Sequence, residues 1–416
     1  MDYITRFADN IIEDRLKSAG AVLVEGPKGC GKTETSKQHA KSLVHLDTDD
    51  EAKIRMEIDP RSVLLGEVPR LIDEWQEYPK IWNYARREID DRKKKGQFIL
   101  TGSSNPEERV KLHSGAARFS LMKMRPMSLY ERGWSTGEVS LEQVMKGNAS
   151  ESETVAFDLG ELAEKITLGG WPSLLGSDAK SALRFIQDYV SMIVEVDISR
   201  VSEKKRNPQK VRRLMQSLSR NISTLTSVAS LALDTGGEDT SIKEETVADY
   251  LDALDRLMIY EALPAWSAHI RSAHTLRKAP KRHFVCPSIA VGTLGLSVDK
   301  ILADLNYFGF LFESLAIRDL RIYADVNDGK VFHYRDSSDL EADAIVEYPD
   351  GTWAAFEVKL GIGAADGAAK SLIAFAERVD TKKMGAPVSL NVITGNGFAH
   401  RRKDGVNVIP LSTLTV

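Results

Sequence analysis

The segment Gly26-Pro27-Lys28-Gly29-Cys30-Gly31-Lys32-Thr33 limits what this chain can fold into more than any other stretch. It fits G-x-x-x-x-G-K-[ST], and each fixed position answers a physical need. Glycine reaches backbone conformations that other residues avoid, so successive N–H groups can curl around phosphate oxygens. Lys32 then reaches the outer phosphates and the Thr33 hydroxyl ligates Mg²⁺. The following helix aims the positive end of its dipole at the anion. Average residue frequencies would produce the pattern only roughly 0.01–0.02 times in a chain of this length. Its context agrees, because apolar Ala21-Val22-Leu23-Val24 reads as a strand before it and residues 32–43 read as a helix after it. Gly26, Pro27, Lys28, Gly29, Cys30, Gly31, Lys32 and Thr33 are thus the expected contacts to ATP or ADP.

A loop joining a strand to a helix implies more of the same alternation. Further strands are expected at Ser42–Leu46, Val68–Ile72 and Phe98–Thr101, with helical stretches such as 79–95 between them and a helix within 1–20. Strands alternating with helices make a parallel α/β sheet. Leu71-Ile72-Asp73-Glu74 is an apolar strand that delivers two acids to its C-terminal end. Asp73 is placed to hold the Mg²⁺ shell and Glu74 to polarise the attacking water. In an ATPase sheet the strand at Phe98 lies between the loop strand and the Asp73 strand, which brings Thr101 or Ser103 near the γ-phosphate or the water. Arg118 or Arg125 is a candidate finger onto a neighbouring subunit's γ-phosphate; the plain alternative is a surface charge or local ion pair.

Residues 138–205 read as mostly helical, interrupted by Gly169-Gly170-Trp171-Pro172. Three further helical stretches, 208–221, 226–233 and 243–259, precede strand-like runs near 260–264 and 283–286, an order that suggests a winged helix. Beyond 300, a helix at 307–322 is followed by strands at 331–335, 343–348 and 352–359, a helix at 366–380, and strands at 388–393 and 406–409. The expected units are 1–137, 138–205, 206–298 and 299–416, since 416 residues exceed one ordinary core.

The last unit holds a second constellation. Asp343 begins one strand, Pro349-Asp350-Gly351 is a turn, and Glu357 and Lys359 lie two apart on the next strand, hence on one face. In a PD-(D/E)xK arrangement Asp343 and Glu357 would bind Mg²⁺, and Lys359 would position or activate the water. Glu313, on the preceding helix, is a further acid. Such loose spacing arises about once by chance in a chain of this length. The α-β-β-β-α-β order therefore carries the reading. A nuclease-like fold kept as a DNA clamp or an assembly surface is the competing one.

Taken together, GPKGCGKT, LIDEWQ, FILTGSS and RPMSLYERG resemble a large bacterial and archaeal family of AAA-type ATPases whose C-terminal domain has long been catalogued as of unknown function. GGWP (169–172), EVDISR (195–200), LFESLAIRDL (311–320), EADAIVE and FEVKLG resemble its second part. The resemblance implies an α/β fold: an N-terminal P-loop AAA+ ATPase domain that forms rings, often hexamers, a helical, winged-helix middle, and a C-terminal α/β PD-(D/E)xK nuclease-like domain. Cys286 stands in FVCPSIA where an acid would be expected.

Net charge is only −4, so any nucleic-acid surface must be local. Eight basic residues fall between Arg200 and Arg220 (Arg200, Lys204, Lys205, Arg206, Lys210, Arg212, Arg213, Arg220) against one acid, Glu203, and five between Arg271 and Arg282 (Arg271, Arg277, Lys278, Lys281, Arg282). These could contact a phosphate backbone or be ordinary solvated faces. Two cysteines without CxxC spacing fit a reducing compartment, and no apolar run approaches the roughly 20 residues needed to span a bilayer. The expectation is a cytoplasmic, ring-forming ATP hydrolase acting on DNA by translocation or remodelling. Its rival is an ATP-gated switch or scaffold that binds a protein partner.

Overall fold

The computed structural model describes residues 3–103, 115–154, 157–201, 206–236, 242–267, 279–336 and 340–416, excepting the Arg200 side chain. The N-terminal part is built on β1 (Ala21–Glu25), whose four apolar residues are all fully buried. A parallel strand covered on both faces needs this unbroken apolar run. Its alternate residues feed separate cores. Ala21 and Leu23 pack with Ile72, Trp75, Trp82, Phe98 and Leu100. Val22 and Val24 pack with Ile12, Leu71, Ile99 and Met122. The flanking helices are α1 (Phe7–Ser18), α2 (Lys32–His39), α3 (Asp50–Ile58) and α4 (Ile81–Arg92).

With β2 (Ser42–His45), β3 (Arg70–Asp73), β4 (Phe98–Gly102) and β5 (Phe119–Lys123), the five strands stand in the order β2-β3-β4-β1-β5 and all run parallel. The Phe98 strand therefore lies between the loop strand and the Asp73 strand, as expected. In register, His45 faces Asp73, while Leu100 faces both Leu23 and Ile72. The C-terminal ends of β1, β3 and β4 consequently meet at one edge of the sheet.

The middle is helical. Ala179–Met192 continues into a π-turn, Ile193–Asp197. The expected helical trio is found at Pro208–Arg220, Val228–Gly236 and Glu244–Arg256, and the strand pair is reduced to the bridges Tyr260↔Phe284 and Leu263↔Lys281. A short ladder pairs β6 (Val139–Ser140) with the chain's last strand. The C-terminal part has β7 (Lys330–Arg335), β8 (Glu341–Glu347), β9 (Trp353–Lys359), β10 (Leu390–Thr394), β11 (His400–Arg401) and β12 (Asn407–Pro410), ordered β11-β12-β10-β9-β8-β7, with β13 (Leu414–Thr415) returning to β6. β10 is parallel to β9 and β12, and the other pairs are antiparallel, so the sheet is mixed. The helix Leu305–Asp325 covers one face and Ala365–Arg378 the other. One continuous core runs from Leu129 through Leu214 and Phe312 to Leu414, so apolar packing does not break at 205/206 or 298/299. Among the described residues, no helix is long and apolar enough to cross a membrane.

Candidate active site

The loop after β1 is shaped by close approach as much as by φ. Gly29 and Gly31 lie at φ 75° and 104°. A Cβ on Gly26 would stand 2.2 Å from the Met124 carbonyl oxygen, so the first glycine is required by its neighbour on the β5 side. Cys30 is buried beneath the loop, its Sγ 3.6 Å from the same carbonyl. Behind it Arg6 acts as a strut: its guanidinium donates to the carbonyls of Cys30 and Arg125, each at 3.0 Å, and pairs with Glu131 at 2.9 Å. Lys32 is buried and folded across the loop, donating to the carbonyl oxygens of Gly26 at 2.9 Å and Pro27 at 3.0 Å.

Asp73 collects partners from the two strands beside it and from the helix. Its Oδ1 accepts from the Thr33 hydroxyl at 2.9 Å and from the Thr101 hydroxyl, while its Oδ2 meets His45 Nδ1 at 2.9 Å. The hydroxyl and the carboxylate expected to share Mg²⁺ therefore touch already. They fit that ion in the way small hard cations prefer, as a pair of oxygen ligands beside substrate phosphates. Glu74 sits at φ 52°, a costly conformation for a non-glycine residue and one that gathers at functional sites. The Ser103 hydroxyl donates to its Oε2 at 3.2 Å, and the Gln76 side-chain amide donates to the same oxygen. Lys32, Thr33, Glu74 and Ser103 line one cavity of about 980 Å³. Thr101 is turned to Asp73 instead, so of the two hydroxyls proposed for the phosphate, Ser103 is the one that faces it.

The middle region closes this cavity. Lys28 Nζ pairs with Asp197 Oδ1 at 2.6 Å, and the Tyr189 hydroxyl donates to the Lys28 carbonyl at 3.1 Å. Asp197 ends the π-turn, a local widening of the helix that often marks functional sites. Arg118 is elsewhere: its carbonyl bonds to Ala21 N–H at the start of β1, the end opposite the loop, and its guanidinium holds Asp90 at 2.8 Å. Arg125 is buried, doubly bonded to Glu261 and also paired with Asp325, which makes it a structural tie rather than a free finger. Ser104 and the segment that follows it, through 114, lie outside the described residues.

In the C-terminal part, Asp343, Glu357, Lys359 and Glu313 do converge. Lys359 Nζ donates to Glu357 Oε2 at 2.7 Å and lies 3.6 Å from Asp343 Oδ2, which also accepts the Val358 N–H at 3.0 Å. The unexpected member is Lys281. Its Nζ donates to Asp343 Oδ1 and to Glu313 Oε1, each at 2.8 Å. Burial opposes charge throughout. It pushes Glu357 up, to about 8, with the Asp343 charge adding to the rise and Lys359 resisting it. It likewise pushes Glu313 up to about 7. Against the same burial, Lys281 and Lys359 hold Asp343 well below the usual carboxylate range. Among the described residues no group of three or more His, Cys, Asp or Glu side chains is arranged to hold a metal. In this arrangement the two carboxylates expected to hold Mg²⁺ are met by ammonium groups instead, Asp343 by Lys281 and Lys359 and Glu357 by Lys359.

Five of the described residues in the basic segments are similarly engaged. Arg206 pairs with Asp249, Arg212 with Glu195 and Arg220 with Asp234. Arg213 donates to the Gly236 carbonyl and Arg282 to the Tyr260 hydroxyl. Lys204, Lys205, Arg271, Arg277 and Lys278 lie outside the described residues, as does the Arg200 side chain. Sequence reasoning missed His45, Gln76, Asp197 and the role of Lys281. A partial signal existed for His45, which lies in the strand expected at Ser42–Leu46; its pairing with the Asp73 strand appears only in the fold.

An AAA domain model matches residues 18–132, a domain of unknown function (DUF8612) matches 159–300, and another (DUF4143) matches 308–414. The middle match spans 205/206, as the continuous core does. No curated protein matches the chain. Among solved structures, a Walker-type ATPase of Pyrococcus abyssi is similar at 13% identity and a TM-score of 0.43, over 70% of this chain and 96% of that one. The chain therefore carries an AAA-type P-loop ATPase domain, joined through a helical middle to a C-terminal domain of a family without assigned function.

Proposed function

We propose that this protein hydrolyses ATP with Mg²⁺ and works as a nucleotide-gated switch, its middle region sensing the occupant of the P-loop. The observation that carries the reading is the Lys28–Asp197 pair, which ties the loop to the π-turn across the wall of the nucleotide cavity. Thr33 and Asp73 would hold the ion, which supplies charge neutralisation on the phosphates. Lys32 exchanges its two backbone carbonyls for phosphate oxygens. Glu74, aimed by Ser103 and Gln76, takes the proton of the attacking water. An incoming phosphate competes with Asp197 for Lys28, so binding energy at the loop is passed to the helix Ala179–Met192 and its π-turn.

Arg118 stands roughly 15 Å from its own loop, the length of a five-residue strand. A finger role would therefore require Arg118 to leave Asp90 and act in the site of a neighbouring copy of a self-assembled ring. Mixing Arg118→Ala with Glu74→Gln, each inactive alone, should restore hydrolysis; failure of the mixture removes the trans role. The engaged basic residues favour a protein partner over DNA as what the switch acts on. Steady-state hydrolysis with and without DNA at low salt separates the two. Turnover raised several-fold by DNA would return the protein to the expected class of DNA-translocating or remodelling ATPases. Unchanged turnover without DNA binding supports the switch.

A further inference from the structure

Lys281 follows the middle helices in sequence, at its bridge to Leu263, and its side chain enters the C-terminal part. It is only 4% exposed, and its ammonium lies 2.8 Å from one oxygen each of Asp343 and Glu313. These two acids belong to different elements, β8 and the long helix Leu305–Asp325. An ammonium equidistant from two buried carboxyl groups occupies the place a metal would take, bridging them and fixing their separation. Two further oxygens of the cluster are also engaged. Asp343 Oδ2 takes the Val358 N–H, and Glu357 Oε2 takes Lys359. An entering metal would have to pass two ammonium groups and leave Lys281 charged, buried and unpaired, which is among the costliest states a side chain can adopt.

We propose that Lys281 is the resident cation of this cluster. It keeps divalent metal out of the position between Asp343 and Glu313 and fastens the middle region to the C-terminal sheet, so the motif acids form an interdomain joint and not a cleavage centre. The inference uses no residue of the nucleotide site and stands apart from the ATPase reading.

The test is Mn²⁺ binding to the full, nucleotide-free chain, followed by electron paramagnetic resonance; any P-loop contribution is common to all variants. Wild type and Asp343→Asn should bind the same number of ions. Lys281→Met should gain one equivalent, and Lys281→Met/Asp343→Asn should lose it again. One equivalent in the wild type that vanishes in Asp343→Asn overturns the proposal. So does a folded Lys281→Met that gains none. If Lys281→Met does not fold, the wild-type comparison decides by itself. A second readout is Mg²⁺-dependent nicking of supercoiled DNA: cleavage by the wild type that is lost in Asp343→Asn overturns the joint, and equal or absent nicking supports it.

Discussion

Both ends of this chain set two acids and a lysine beside a β-sheet, and the two sets are completed in opposite ways. In the N-terminal site, Asp73 and Glu74 are held by hydroxyls, an amide and an imidazole, while Lys32 spends its protons on backbone carbonyls. Hydroxyl and amide donors orient a carboxylate without cancelling its charge, so the anion remains available to a cation and to a proton in transit. In the C-terminal cluster the donors are ammonium groups, Lys281 and Lys359. They cancel the charge they orient. The same residue types are therefore proposed to make a reaction site in one place and a joint in the other, and the difference lies in the charge of the partner.

The largest expected effect breaks the N-terminal side of the comparison. Glu74→Gln keeps the donors and removes the base, so steady-state hydrolysis should fall about 10²–10⁴-fold, with nucleotide binding retained in a fluorescent-nucleotide titration. A variant that still turns over near the wild-type rate would move the base elsewhere.

On the other side, Lys281→Met leaves two buried acids without their cation. Removing one partner of a buried pair typically costs about 3–5 kcal/mol. Denaturant unfolding should show a loss of that size, partly recovered when Asp343→Asn is added. A loss under about 1 kcal/mol, the scale of exposed ion pairs, would mean that the lysine is not bearing the joint.

Protonation sharpens the contrast further. Glu313 holds its proton to about pH 7 in the fold, against 4.5 ordinarily, chiefly because it is buried. The folded chain then carries the extra proton, so this group's stabilisation is complete below pH 4.5 and is lost as pH rises towards 7. Glu313→Gln stays neutral. Its unfolding free energy relative to wild type, measured by denaturant titration, should therefore improve from pH 5 to about pH 7, by at most about 1.4 kcal/mol per pH unit. A difference that does not move with pH would show that Glu313 is ionised throughout.

The smallest effect belongs to the gate. Lys28 is half exposed, so Asp197→Asn should change stability by no more than about 1 kcal/mol. It should nonetheless abolish the nucleotide-dependent change in hydrogen exchange of residues 193–197. If that change survives, the signal leaves the loop by another route.

Much of the N-terminal site was legible because its parts are local. A strand, a loop and a helix follow one another in 21–39, and each of β3 and β4 ends in the polar residues it delivers. Parallel pairing then brings those ends together with little freedom. The C-terminal strands and their motif acids were equally readable from alternation and turn chemistry. Whether those acids hold a metal was not.

By itself the sequence determined the phosphate loop, its Asp73-Glu74 partner strand and the α/β class, because glycine conformation and burial periodicity act over a few residues. Only the tertiary structure decided which cation each acid meets. Lys281 reaches Asp343 across 62 positions, Arg125 reaches Glu261 across 136, and Lys28 reaches Asp197 across 169. No local pattern encodes such pairings. A long, flexible charged side chain carries no register, and its partners are chosen only when the fold brings distant elements within its reach.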